Sequence, residues 1–252
     1  MNLEEYEKMY VLEDTYWWFQ GKKYIVFSLL DHQGALRPRS SLPGAPPPIA
    51  VDIGCGTGLT LAYLQGRARP LGLDLSPLSM MYCRRRGIHD LGRCEATALP
   101  LQNDSVDLAL ALDMIEHIPN DAKAYGEIAR VLRPGGQAII TVPAHPFLWS
   151  EHDEALHHFR RYSRAQLRTL LETQPLKITR LTYAITFTFI PIVLYRLLTR
   201  SLRNKQGPKT HVILLPRWIN QALIGLLKIE AWLLRRVNLP FGVSLVAIVQ
   251  KI

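Results

Sequence analysis

Gly54, Gly56 and Gly58 stand at alternate positions in the run Ile49-Ala50-Val51-Asp52-Ile53-Gly54-Cys55-Gly56-Thr57-Gly58, with one acid, Asp52, inside it. The apolar residues ahead of the glycines read as a buried strand. The strand ends in a tight turn, since only glycine tolerates positive φ and close approach of backbone to a ligand. Such a turn suits a nucleotide, but alone it is a frequent false positive. Its GxGxG spacing already differs from the GxGxxG of dinucleotide-binding enzymes. A second short apolar segment, Leu71-Gly72-Leu73-Asp74-Leu75-Ser76, carries an acid at its carboxyl end. In nucleotide-binding α/β folds such a carboxylate takes the ribose hydroxyls.

A third polar group, Asp113, Glu116 and His117, follows the apolar run Val106 to Leu112. An imidazole titrating near pH ~6.5 accepts a proton at neutral pH, which makes His117 the candidate catalytic base. The competing role is plain packing, or capping of the next helix. Further on lie His145, His152, His157, Arg160, Arg161 and Tyr162. This segment follows a strand, on the edge where ligands bind in open α/β sheets, so it is expected to build a substrate pocket. Arginine offers a planar two-pronged donor to phosphate, carboxylate or phenolic oxygen. The alternative is an internal network with Asp153 or Glu154. His152, Asp153 and His157 lack the further Cys/His array of a metal centre, and no metal is expected. Trp18, in Tyr16-Trp17-Trp18-Phe19, is a candidate lid over the pocket.

Elements of alternating type must hold these groups. Residues 1 to about 33 read as a helical cap, and the proline- and glycine-rich residues 34–48 as a linker that cannot continue a helix. Residues 49–252 read as one domain, in which 49 to about 183 alternate strands with helices, the first helix starting at about Leu59, the pattern of a parallel sheet covered on both faces. A strand over Leu176–Tyr183 and a last strand over Val243–Lys251 are separated by an apolar, basic insertion, about 184–240.

The ordered set of Asp52 to Gly58, Asp74, Cys94-Glu95-Ala96, Leu99-Pro100-Leu101, Asp104 to Asp113, Glu116-His117 and Val131-Leu132-Arg133-Pro134-Gly135-Gly136 resembles the class I S-adenosylmethionine (SAM)-dependent methyltransferases. The resemblance is to the small-molecule type related to ubiquinone and menaquinone methylases, and it covers roughly residues 49–180. It implies a Rossmann-like seven-stranded α/β sheet with an antiparallel last strand. It implies SAM as cofactor and S-adenosylhomocysteine as product. It implies that Gly54, Cys55, Gly56 and Gly58 pass beneath the methionine part of SAM, with Asp52 near the amino group. Asp74 and Leu75 would lie at the ribose, Glu95 and Ala96 at the adenine, and Asp113 beside the methionine moiety.

Composition bounds the rest. At 252 residues and 48% hydrophobic, the chain can bury one sizeable core. Three cysteines with no CxxC point to a reducing compartment, and the acidic amino terminus lacks signal-peptide order, so a cytoplasmic protein is expected. A net charge of +9 favours an acidic partner: a phosphate-bearing substrate, an anionic membrane surface or nucleic acid. Nucleic-acid methylation is disfavoured, because Ala111-Leu112-Asp113-Met114-Ile115-Glu116-His117 lacks the Asn/Asp-Pro-Pro-aromatic motif of base amino-methylases. A non-catalytic SAM-binding or membrane-surface protein stays open.

Within the insertion, the apolar run Thr182–Leu198 is broken by Pro191 and falls short of the ~20 residues of a spanning helix. Ile219, Leu223, Leu226, Ile229, Leu233 and Val237 recur at helical spacing. Arg196, Arg200, Arg203, Lys205, Lys209 and Arg217 flank these segments. A basic amphipathic hairpin of this kind lies on the inner membrane face or covers a lipid-like substrate. The simpler alternative is that its stripe is core. The acceptor and the oligomeric state are not fixed by sequence.

Overall fold

The computed structural model describes residues 3–38, 44–199 and 215–252. Seven strands form one sheet in the order β3-β2-β1-β4-β5-β7-β6. They are β1 (Ile49–Ile53), β2 (Arg69–Asp74), β3 (Leu91–Arg93), β4 (Val106–Leu112), β5 (Leu132–Pro143), β6 (Leu176–Ala184) and β7 (Ser244–Lys251). β1 pairs in parallel with β2 and β4, and β5 with β4, while β7 runs antiparallel between β5 and β6. This is the expected α/β sheet with its antiparallel last strand.

The central strands are apolar on both sides because helices cover both faces. On one face, Val51, Ile53, Ala109, Ala111, Ile140 and Val142 pack with α5 (Asp121–Val131) and α7 (Arg164–Glu172). On the other, Ala50, Leu108, Leu110 and Ile139 pack with α2 (Trp17–Gln33) and α9 (Arg217–Leu233). The order of β1 and β4 either side of the reversal places their carboxyl ends at the crevice where ligands enter open sheets.

The amino-terminal region is two helices, α1 (Leu3–Leu12) and α2. α1 lies against α4 (Pro77–Arg85), with Tyr6 stacked on Tyr82 and Tyr10 tilted onto the same ring at 4.9 Å. The insertion forms α8 (Phe189–Thr199) and α9. Arg200, Arg203, Lys205 and Lys209 lie outside the described residues. No helix among the described residues is long and apolar enough to cross a membrane.

α9 is clamped to α2. A Cβ at Gly21 would meet Leu227 Cδ1 at 2.0 Å, so glycine there lets the two helices approach closely. Asn220 Oδ1 accepts from the Trp17 amide at 2.9 Å, and Ser28 Oγ donates to the Ala231 carbonyl at 2.9 Å. The buried face of α9 is Ile224, Leu227, Glu230 and Ala231. The stripe expected from spacing, Ile219 to Val237, is not this face: Leu226, Ile229 and Val237 are exposed. α9 is apolar on two sides, and packing against Gly21 and Ser28 selects the other one.

Candidate active site

The crevice at the strand ends opens into a cavity of about 1980 Å³. Small-molecule pockets usually occupy roughly 300–1,000 Å³, so two ligands fit side by side. One end holds Asp52, Gly54, Cys55, Gly56, Asp74, Leu75, Glu95, Ala96 and Asp113. Trp18, His117, His152, His158 and Arg161 line the middle, and Ile192, Val193 and Leu215 of the insertion contribute apolar wall. Gly58 is not in the wall. A Cβ there would strike Cys83 Sγ at 2.9 Å, so this glycine serves the packing of the turn on α4.

At the nucleotide end, Asp74 accepts from the Gly56 amide at 3.0 Å and the Ser76 amide at 2.8 Å. These bonds aim the carboxylate across the mouth of the turn. Gly56 sits at φ +54°, and a Cβ on it would reach only the methyl of Met9, at 3.0 Å. The bare backbone thus faces the cavity beneath α1. Asp52 is buried, and burial together with the Asp74 charge pushes its carboxyl up to about 7. Two acids in mutual repulsion at the end of a cavity suit a ligand that brings an ammonium group and hydroxyl donors. The amino-acid and ribose parts of SAM are such a ligand, and the residues present fit it.

α1 closes this end. Glu13 bonds the Thr57 hydroxyl and takes Arg86 Nη2 at 2.6 Å, while Arg86 Nε donates to the Thr57 carbonyl at 3.1 Å. The latch ties the helix cap directly to the glycine turn. Lys22, lying over the Trp18 ring at 4.6 Å, pairs with Asp113. Asp113 itself is in the left-handed region at φ +50°, its amide held by Thr141 O at 2.9 Å and Thr141 Oγ1 at 3.0 Å. A non-glycine residue in that region stores strain that the surroundings must hold.

The middle of the cavity is a cluster of titratable groups. Glu116 is fully buried, with Oε2 unpartnered, and burial reinforced by Asp113 holds its carboxyl well above the usual range. Burial, then the neighbouring His158, pushes His117 down to about 4, so it is neutral at neutral pH. The His117 and His158 rings meet edge to face at 4.7 Å. His158 Nδ1 lies 3.0 Å from Asp153 Oδ1. Asp153 is itself buried and accepts from the Ser150 amide at 2.9 Å and Arg161 Nε at 2.8 Å. His158 is not singled out by the sequence, since the His157-His158 pair gives no sign of which ring turns inward, and Asp153 is read there only as a partner for arginine or one of a His/Asp group.

The remaining candidates lie elsewhere. His145, at φ +61°, stacks on Tyr183 at 5.0 Å and packs against Phe147 and Phe189, outside the cavity wall. His157 also lies outside the wall. Arg160 pairs with Asp121 at 2.7 Å, and the Tyr162 hydroxyl donates to the same acid at 2.8 Å. Arg161 on Asp153 is the internal arginine–carboxylate pair that the sequence left open as the alternative to anion binding, while the acid that takes Arg160 and Tyr162, Asp121, was not among those expected.

Known proteins share this fold. Residues 51–140 match a family model described as a methyltransferase domain. Over 165 residues the chain is 30% identical to a probable SAM-dependent methyltransferase of Mycolicibacterium smegmatis, covering 64% of this chain and 59% of that one. The chain spans about half the length of the curated relatives it matches. Among solved structures, a SAM-dependent methyltransferase from Thermotoga maritima superposes with a TM-score of 0.58 at 18% identity, over 99% of this chain and 96% of that one. A geranyl diphosphate C-methyltransferase from Streptomyces coelicolor, solved with Mg2+, geranyl diphosphate and S-adenosylhomocysteine, superposes at 0.56 and 16% identity over 89% and 77%. The fold is therefore that of Rossmann-like methyltransferases, and residues 51–140 match a methyltransferase domain. Over the matched segment the chain is similar to SAM-dependent methyltransferases, whose cofactor is SAM.

Proposed function

We propose that this protein transfers the methyl group of SAM to a small, largely apolar or lipid-like acceptor. The observation that carries the reading is the single cavity. Its wall includes the paired acids Asp52 and Asp74, the imidazoles of His117 and His158, and the apolar Ile192, Val193 and Leu215. Arg160 and Arg161 are already bonded to buried or half-buried carboxylates, which favours an apolar acceptor body over a phosphate at that point.

SAM, when bound, supplies an already activated sulfonium methyl. The protein then has to hold an acceptor atom in line with it, exclude water and receive any proton released. Asp74 and Asp52 bind the hydroxyl and ammonium ends, and α1 with its Glu13–Arg86 latch keeps water out. Of the two imidazoles, His158 is the better supported acceptor of a proton. Asp153 fixes its Nδ1 side and stabilises the imidazolium that forms, and His158 is part of the cavity wall. His117, depressed by burial, acts as a neutral packing and positioning group.

The test is incubation of the purified chain with methyl-labelled SAM and a total cell extract, then partition between organic and aqueous phases. Label in the organic phase is expected. Label confined to the aqueous phase would contradict a lipid-like acceptor, and no transferred label despite SAM binding would contradict catalysis.

A further inference from the structure

α9 has two apolar sides, and only one is used. At 100° per residue, Ile224, Leu227 and Ala231 share an arc that packs on α2. The opposite arc carries Trp218, Ile229 and Trp232, which are 74%, 54% and 52% exposed. An outward face with two tryptophans and an isoleucine is unusual for a helix already anchored in the core, and such patches mark interaction sites.

The charges around it have one sign. Arg217, Lys228, Arg235 and Arg236 are all exposed. The single acid of α9, Glu230, is buried and turned inward, where it accepts from the Ile185 and Thr186 amides. Arg236 lies over the Trp232 ring at 4.7 Å, and Lys228 over Tyr24 at 4.5 Å. An apolar face with indoles, whose exposed charges on α9 and the turn after it are all cations, complements an anionic lipid surface, where tryptophan sits at headgroup level and lysine or arginine meets phosphate. Leu215, just before α9, lines the cavity.

We propose that the outward face of α9 docks the protein on an anionic lipid bilayer, with the helix lying in the interface and the cavity wall at Leu215 beside it. An amphiphilic acceptor then enters from the bilayer without crossing water. This deepens the lipid-like acceptor reading and rests on it for its purpose, though docking is measured without methyl transfer.

The experiment sediments the full chain with vesicles of phosphatidylcholine alone and of phosphatidylcholine containing one-third phosphatidylglycerol, at low and high salt. Retention on the anionic vesicles, falling as salt rises, is expected. Lys228→Glu combined with Arg236→Glu, and separately Trp218→Ser combined with Ile229→Ser, should each weaken retention at least tenfold, with SAM affinity and thermal midpoint unchanged. Absence of binding to either vesicle, or equal binding by the variants, would overturn the proposal. So would a concentration-dependent dimer abolished by Trp218→Ser with Ile229→Ser, since a second copy would then cover the face. Unchanged SAM affinity in the same samples keeps any of these failures separate from a failure of the methyltransferase reading.

Discussion

Asp52 is the residue whose chemistry is most constrained by its surroundings. Its folded carboxyl is raised to about 7 from an ordinary value near 4, by burial and by Asp74. A raised folded value means that the native state holds the proton longer than the unfolded chain. The stabilisation is complete below pH ~4 and is lost as pH rises toward 7. His117 tilts the other way, because its folded value is lowered to about 4: its contribution is lost as pH falls from about 6.5. Asp52→Asn should therefore raise the thermal midpoint of the unliganded protein at pH 8 relative to wild type more than at pH 4, while weakening SAM binding. A midpoint difference independent of pH would contradict the assignment. His158→Gln and Asp153→Asn should lower turnover by about 10²–10⁴-fold, the usual range for a general base and its support. SAM affinity should stay within a few-fold, and His117→Gln should cost less than His158→Gln. Equal losses at the two histidines would remove the distinction drawn between them.

At the scale of elements, the strand-to-turn units were legible because their signals are local. Asp52 to Gly58 and Leu71 to Ser76 each carry strand, turn and functional acid within a few residues. The pairing of His158 with Asp153 was not, because the α6 helix (Glu151–Ala155) and the turn after it decide which histidine faces inward. His145 misled for a related reason: in sequence it sits beside the pocket segment, but its left-handed backbone turns the ring onto Tyr183. The face of α9 was ambiguous because periodicity finds an apolar stripe and cannot say which of two will be buried. The amino-terminal cap makes its own prediction. Glu13→Gln with Arg86→Ala removes the latch to Thr57 and should raise the dissociation constant for SAM about tenfold, equivalent to ~1.4 kcal/mol. It should also expose α1 to limited proteolysis, with SAM restoring protection. Protease resistance equal to wild type would show that the tyrosine packing on Tyr82 alone holds the helix.

Across the whole molecule, the sheet order brings the ends of β1, β2 and β4 to one crevice, and the two helical additions, packed on each other, both line it. α1 and α2 contribute residues between Glu5 and Phe27 to its wall, and α8 with the approach to α9 contributes the apolar Ile192, Val193 and Leu215. The division of labour follows from where each addition is anchored: α1 through Glu13 and Arg86 to the glycine turn, α9 through Asn220 and Ser28 to α2. On this reading SAM binds at the Asp52–Asp74 end. It is tested most directly by calorimetric titration of SAM into the wild-type protein, Asp74→Ala and Gly56→Asp. One saturable site in the wild type, weakened at least tenfold in Asp74→Ala and lost in Gly56→Asp, is the predicted result. Equal affinity in all three, or no binding by a folded wild type, would contradict it.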